Sequence, residues 1–282
     1  MFTTLISTTE LASRLGNHEL AIVDVRHDLA RPEQWGEDQY RAAHIPGAVF
    51  AHLDRDLSAP KTGKNGRHPL PSPEAVAATF GRLGIATASQ VVVYDQQQAM
   101  YASRVWWMLR WLGHEAVAVL DGGFDKWQRE GRPVTADVPT IKPATFAVRR
   151  VVPTVDAPTI LASLPTHSLV VVDARSPDRF RGEAEPFDPV AGRIPGAVNR
   201  PASQNLAADF TFKPAAELRG DFERLLAGAS PDRIVHSCGS GVTACHNLLA
   251  MEVAGFGATK LYPGSWSEWC ADPSRPIAKG PA

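Results

Sequence analysis

The sequence predicts an α/β protein built from two tandem domains, each a parallel sheet flanked by helices. Two observations carry this: a set of segments that occurs twice in the same order, and short apolar runs alternating with stretches of helical period. A third, one cysteine followed by glycines after such a run, points to where the chemistry lies.

The duplication comes first. LAIVDVR (20–26) is answered by LVVVDAR (169–175), and HIPGAV (44–49) by RIPGAV (193–198), both at an offset of 149. Further on GGFDKW (122–127) is answered by GSWSEW (264–269) at an offset of 142, and the runs VVVYD (91–95) and IVHSC (234–238) correspond by motif. The first copy therefore carries seven extra residues between 50 and 90, assigned to the polar stretch SAPKTGKNGRHPLP. Two copies make a tandem and not a solenoid. The proline-rich ADVPTIKPATFAVRRVVP reads as a linker. The expected layout is a first domain over 1–137, a linker over 138–152 and a catalytic domain over 153–282, which suits 282 residues at 44% hydrophobic composition.

LAIVDV, VVVYD, LVVVDA and RIVHS are β-branched and nearly continuous, as parallel strands buried on both faces must be. SRVWWMLRWLG (103–113) and TACHNLLAMEVAGF have helical spacing and stop at Gly113 and Gly255. Trp106, Trp107 and Trp111 are core residues on this reading. Strands alternating with helices imply crossover connections, and ligands of such sheets bind beyond the carboxyl ends of the strands.

Composition excludes several classes. A net charge of −1, with both signs interspersed, leaves no footprint for nucleic acid or an anionic membrane. No apolar run approaches the roughly 18–20 residues that span a bilayer, and the N-terminus lacks the features of a secretory signal. Three cysteines (Cys238, Cys245, Cys270) form no disulfide framework and no metal pair, and the histidines show neither HxH nor HExxH spacing. The expectation is a cytoplasmic protein with no metal and no cofactor.

Cys238 closes the run Ile234–Ser237 and precedes a loop and a helix from about Thr243. A thiol there faces unpaired amide N–H groups and the positive end of the helix dipole, which stabilise the thiolate. Gly239 and Gly241 allow successive amides to turn inward as an anion nest, extended by Val242 and Thr243, and Ser240 and Thr243 add hydroxyls. Covalent catalysis by sulfur fits this set; a structural cysteine in a tight turn is the alternative. A phosphatase does not fit, because the sixth residue after Cys238 is Ala244 where an arginine would clamp phosphate, and Ser237 separates His236 from the thiol.

CGSGVTA, HIPGA, RIPGA, GGFDKWQREG and GSWSEW together resemble the rhodanese superfamily across nearly the whole chain. The resemblance implies two tandem rhodanese-like domains, with an inactive first copy and a catalytic second. It implies a persulfide on Cys238, charged by a small-molecule sulfur donor and discharged to cyanide, a small thiol or a thioredoxin-like protein. The counterpart of Cys238 is Asp95 by motif or Gln96 by ungapped offset, so one site per chain is expected. CGSGVTA resembles the loop of 3-mercaptopyruvate sulfurtransferases, where two arginines hold the donor. DRF supplies Arg179 as one of them; the second would fall in an EPR triplet, but this chain has Phe187. Arg193, at the histidine position of HIPGA, or Arg67 in the extra segment would compensate. A serine–histidine–acid relay would map to Ser240 and His44, with Asp28, Glu33 or Asp38 as the acid. Arg67 and His68, in the extra segment, either reach the cysteine or belong to a solvated loop with incidental charge. Thiosulfate:cyanide sulfurtransfer and a non-catalytic persulfide carrier are the rival functions. Arg26 and Arg175 read as structural partners of Asp24 and Asp173, Cys245 as core, and Cys270 as exposed and oxidisable.

Overall fold

The computed structural model describes residues 1–281. They form two units, one of Met1–Ala59, Pro71–Val152 and Ala208–Thr211, the other of Pro60–Leu70, Pro153–Ala207 and Phe212 onward. Among the described residues no helix is long and apolar enough to cross a membrane.

In the first unit five parallel strands, β1 (Leu5–Ile6), β2 (Leu20–Asp24), β3 (Ala48–Phe50), β4 (Gln90–Tyr94) and β5 (Val117–Leu120), lie in the order β1-β5-β4-β2-β3. In the second, β6 (Val170–Asp173), β7 (Val198–Asn199), β8 (Ile234–Ser237) and β9 (Lys260–Leu261) lie in the order β7-β6-β8-β9. The continuous apolar runs are the central strands, since helices cover both faces: Val91–Tyr94 and all of β8 are buried. Ile22, Val92, Ala118 and Trp127 share one core; Val171, Val235, Trp266 and Trp269 share the other. Each buried valine or isoleucine among them contributes about 1.5–3 kcal/mol by leaving water.

Strand register settles the correspondence that motif and offset left open. Asp24 pairs with Tyr94 in β2–β4, and Asp173 pairs with Ser237 in β6–β8, so the residue after Tyr94, Asp95, matches Cys238. The bonds around them repeat as well: Phe124 N–H donates to Asp95 O and Trp266 N–H to Cys238 O. The loop from β4 to helix Ala102–Trp111 spans 95–101, whereas that from β8 to helix Ala244–Val253 spans 238–243. The first copy is therefore one residue longer here, and this residue is one of the seven assigned to the earlier stretch.

Two segments depart from the expected layout. Pro60–Leu70, encoded within the first copy, packs as part of the second unit. The stretch read as a linker lies along the first unit, where Ala144 N–H donates to Gly81 O (2.9 Å), Arg149 N–H to Leu112 O (3.0 Å) and Val152 N–H to Trp111 O (3.0 Å). Prolines keep it out of helices, but its backbone groups still need partners and find them at the ends of two helices.

Candidate active site

Cys238 stands at the carboxyl end of the central strand β8 and is 2% exposed. Its own N–H donates to Ser265 Oγ (3.1 Å), and its carbonyl accepts from Trp266 N–H (3.0 Å), which fixes the strand end against the GSWSEW turn. Gly239 O accepts from Ser267 N–H (2.9 Å) on the same turn. Gly241 has φ +76°, and a Cβ there would lie 2.1 Å from Pro263 O, so only glycine closes this loop. Among the described residues, the N–H groups of Gly239, Ser240, Val242 and Thr243 have no acceptor in the chain. Four amides beside a buried sulfur form a field that favours negative charge.

Two guanidinium groups come down on this loop. A Cβ at residue 239 would stand 2.6 Å from Nη2 of Arg67 and 3.3 Å from Nη2 of Arg179, which explains Gly239 as a site of close approach. The segment Glu185–Asp188 orients both. Arg179 donates to both carboxylate oxygens of Glu185 (2.7 and 3.0 Å from Nη2), and Arg67 Nε donates to Asp188 (2.9 Å). Burial pushes the Asp188 carboxyl up, and Arg67 opposes this. Phe187 lies beneath both guanidinium groups, 5.2 Å from Arg67 and 5.0 Å from Arg179. Of the two candidates for the missing arginine, Arg67 is thus at the loop.

Arg193 is elsewhere. Its guanidinium donates to Gly280 O (2.7 Å) and Pro281 O (2.9 Å), and its backbone bridges Ala278. His44 occupies the same place in the first unit: its backbone bridges Thr135, its ring stacks on Tyr40, and its nitrogens meet Tyr40 O (2.7 Å) and Asp137 O (3.2 Å). Both side chains fasten the chain that follows their own domain's last helix. That shared task, repeated in a unit with no thiol, corrects the assignment of Arg193 to the donor and of His44 to Ser240. None of the three proposed acids sits on the His44 ring: Asp28 takes Arg31 (2.9 Å), Asp38 takes the Gln34 amide (3.1 Å), and Glu33 is exposed.

The histidine that meets Ser240 is His68, with Nδ1 2.7 Å from Oγ, and both side chains are buried. Position in the extra segment was the sequence signal for it; the HIPGA motif drew attention away. Arg26 and Arg175 are structural as read, each clamping the aspartate two residues earlier and a carbonyl, Ala43 O or Gly192 O.

The corresponding loop of the first unit is closed on itself. Asp95 is 1% exposed, and its Oδ1 accepts from Gln97 (3.0 Å) and Ala99 (2.9 Å), its Oδ2 from Tyr101 (2.8 Å) and Ala102 (2.9 Å). Burial pushes this carboxyl up and the four amides oppose it; with donors on both oxygens, no proton has a place.

The other thiols are in the core. Cys245 is fully buried, its sulfur 3.5 Å from Gly241 O. Cys270, expected at the surface, packs with Trp266 and Trp269, and burial pushes its thiol up to about 11, so it is neutral and shielded. Beneath the site, His236 on β8 is fully buried, and burial lowers its pKa to about 3.

Comparison with known proteins identifies the family. A model of the rhodanese-like domain matches residues 7–130 and again 157–272. A probable 3-mercaptopyruvate sulfurtransferase of Pseudomonas aeruginosa is 45% identical over 279 residues, 98% of each chain. A putative thiosulfate sulfurtransferase of Mycobacterium tuberculosis is 38% identical over 99% of this chain and 98% of its own. The crystal structure of a 3-mercaptopyruvate sulfotransferase of Escherichia coli superposes with a TM-score of 0.81 at 32% identity, covering 94% of this chain and 99% of that one.

Proposed function

Because the chain belongs to the rhodanese-like family, with two of its domains in tandem, we propose that it is a sulfurtransferase whose Cys238 takes sulfur from 3-mercaptopyruvate and passes it to a thiol or cyanide. One observation carries the reading: a buried thiol at a strand end, with four uncommitted amides and two guanidinium groups at one loop.

The thiolate of Cys238 attacks the donor's sulfur. A sulfur–sulfur bond forms, the carbon–sulfur bond breaks, and its electron pair goes to the pyruvate enolate, which takes up a proton. Ser240, hydrogen-bonded to His68, supplies a route for that proton. Arg67 and Arg179 hold the donor's carboxylate and carbonyl by charge-assisted hydrogen bonds. The loop amides stabilise the anionic sulfur in both half-reactions, and the barrier falls because the field is in place before charge moves. An acceptor then attacks the outer sulfur, breaks the sulfur–sulfur bond and returns the thiolate; cyanide leaves as thiocyanate, a small or thioredoxin-like thiol as a persulfide. A reducing compartment such as the cytoplasm keeps the thiol available.

Arg67 supports mercaptopyruvate over thiosulfate, because it restores the second guanidinium that Phe187 removes from the EPR position. The deciding measurement is kcat/KM for the two donors with cyanide, together with intact mass after donor treatment. Mercaptopyruvate is expected to lead, with a gain of one sulfur atom that Cys238→Ser abolishes. A lead for thiosulfate would overturn the donor, equal and very low turnover with both would leave a persulfide carrier, and loss in Cys245→Ser alone would overturn the thiol.

A further inference from the structure

The loop amides around Cys238 have no acceptor among the described residues, so no bond of their own keeps them in place. In the first unit Asp95 binds its loop's amides from within. A catalytic loop has to leave its centre open, and must be held from outside. The GSWSEW turn fixes its start, through the carbonyls of Cys238 and Gly239. Its end, Val242 and Thr243, runs directly into helix Ala244–Val253.

The first turn of that helix is pinned by a buried polar ring. Arg200 Nε donates to Asn205 Oδ1 (3.0 Å), Asn205 Nδ2 to Asn247 Oδ1 (2.6 Å), and Asn247 Nδ2 back to Arg200 O (2.9 Å). Arginine only donates, so its bond fixes which end of the Asn205 amide is oxygen. The second hydrogen on Asn205 Nδ2 is then directed at His246 Nδ1 (3.1 Å), which accepts it. Asn205, His246 and Asn247 are fully buried, and Phe212 stacks on the His246 ring at 4.6 Å. The backbone N–H of Arg200 donates to Asp173 O (2.9 Å), and Asp173 pairs with Ser237, the residue before the thiol. The ring thus ties the helix's first turn to the sheet next to Cys238, and a satisfied buried network of this kind is rigid.

A helix needs no such ring in order to pack. The equivalent helices begin at Ala102 and Ala244, so Asn247 corresponds to Val105, whose side chain forms no hydrogen bond. We propose that Asn205 and Asn247 are positioning residues: by clamping the helix's first turn they keep the N–H groups of Val242 and Thr243 turned toward Cys238 while no anion is there to hold them. This rests on the reading of Cys238 as the nucleophile.

The test is Asn247→Val beside Asn205→Ala/Asn247→Val, which removes both amides together and strands fewer polar groups. Each is measured by urea unfolding, by steady-state kinetics with mercaptopyruvate and cyanide, and by the pH profile of Cys238 alkylation with iodoacetamide. With the amides loosened, kcat is expected to fall about thirtyfold, and donor KM to stay within about threefold because Arg67 and Arg179 are held by another segment. The alkylation midpoint is expected to move up by about one pH unit. An unmoved midpoint or an unmoved kcat in a folded variant overturns the inference, and so does failure of both variants to fold, which would make the ring a support of the unit alone. Alkylation needs no donor: a wild type inactive with mercaptopyruvate overturns the donor reading, while the midpoints still decide this one.

Discussion

The loops after β4 and β8 started as the same structure and now do opposite things with their amides. In the first, Asp95 brings its own anion, and four N–H groups close around it. In the second, a thiol takes that place, and the amides of Gly239, Ser240, Val242 and Thr243 have no acceptor among the described residues. The sequence of each loop follows. The first contains no glycine and accepts positive φ at Gln98 and Ala99; the second places glycine where φ is +76° and where two arginines approach. The difference teaches that the strand–helix junction is an anion trap by construction. Whether it is filled internally or left for chemistry is decided by the first residue after the strand.

The sharpest way to break this comparison is to empty the first trap. Asp95→Ala strands four buried donors and is expected to cost about 3–5 kcal/mol in denaturant unfolding, with formate recovering part of it. A cost below about 1 kcal/mol would show that the carboxylate does not hold the loop. Next in size, Gly241→Ala meets Pro263 O and forces a left-handed angle on a Cβ-bearing residue, so misplacement of the loop should lower kcat/KM about a hundredfold. Normal activity in that variant would sink the claim that the loop's shape makes the site. Arg67→Ala should raise donor KM about tenfold or more while persulfide transfer to cyanide stays fast, a split that single-turnover kinetics can read.

The smallest effect at neutral pH concerns the strand beneath. His236 corresponds to Val93 in the first copy, and its folded pKa of about 3 lies below the usual 6.5. The unfolded chain therefore takes up a proton that the folded one refuses. Stability is complete above about pH 6.5 and falls by about 1.4 kcal/mol per unit as pH drops toward 3. His236→Val should remove one proton's worth of that slope; an unchanged slope would mean that the histidine titrates normally in the fold.

Much of this was legible in the residues. The strands and the helix starts followed from β-branched runs and helical period because buried parallel sheets leave little choice of composition. Cys238 stood out by its place between a strand and a glycine loop, and the structural role of Arg26 and Arg175 by its repetition in both copies; Arg179 rested on the family resemblance of DRF alone. Ser240's partner did not: His44 lies in a motif, but the motif fastens a domain end, and a contact between residues 172 positions apart leaves no periodic trace. Cys270 looked peripheral because it is near the C-terminus, yet the chain turns back and packs it against Trp266 and Trp269. The linker's prolines signalled irregular backbone correctly, but irregular backbone can still be bonded, as it is from Ala144 to Val152.

Pro60–Leu70 gives the duplication a lasting asymmetry. The sequence that begins at Pro153 encodes the thiol but neither Arg67 nor His68; those come from the other half of the repeat. A fragment cut at the boundary inherits a nucleophile without its second cation, and a swap of the two halves would separate them. The two copies cannot be separated without parting Gly239 and Ser240 from Arg67 and His68.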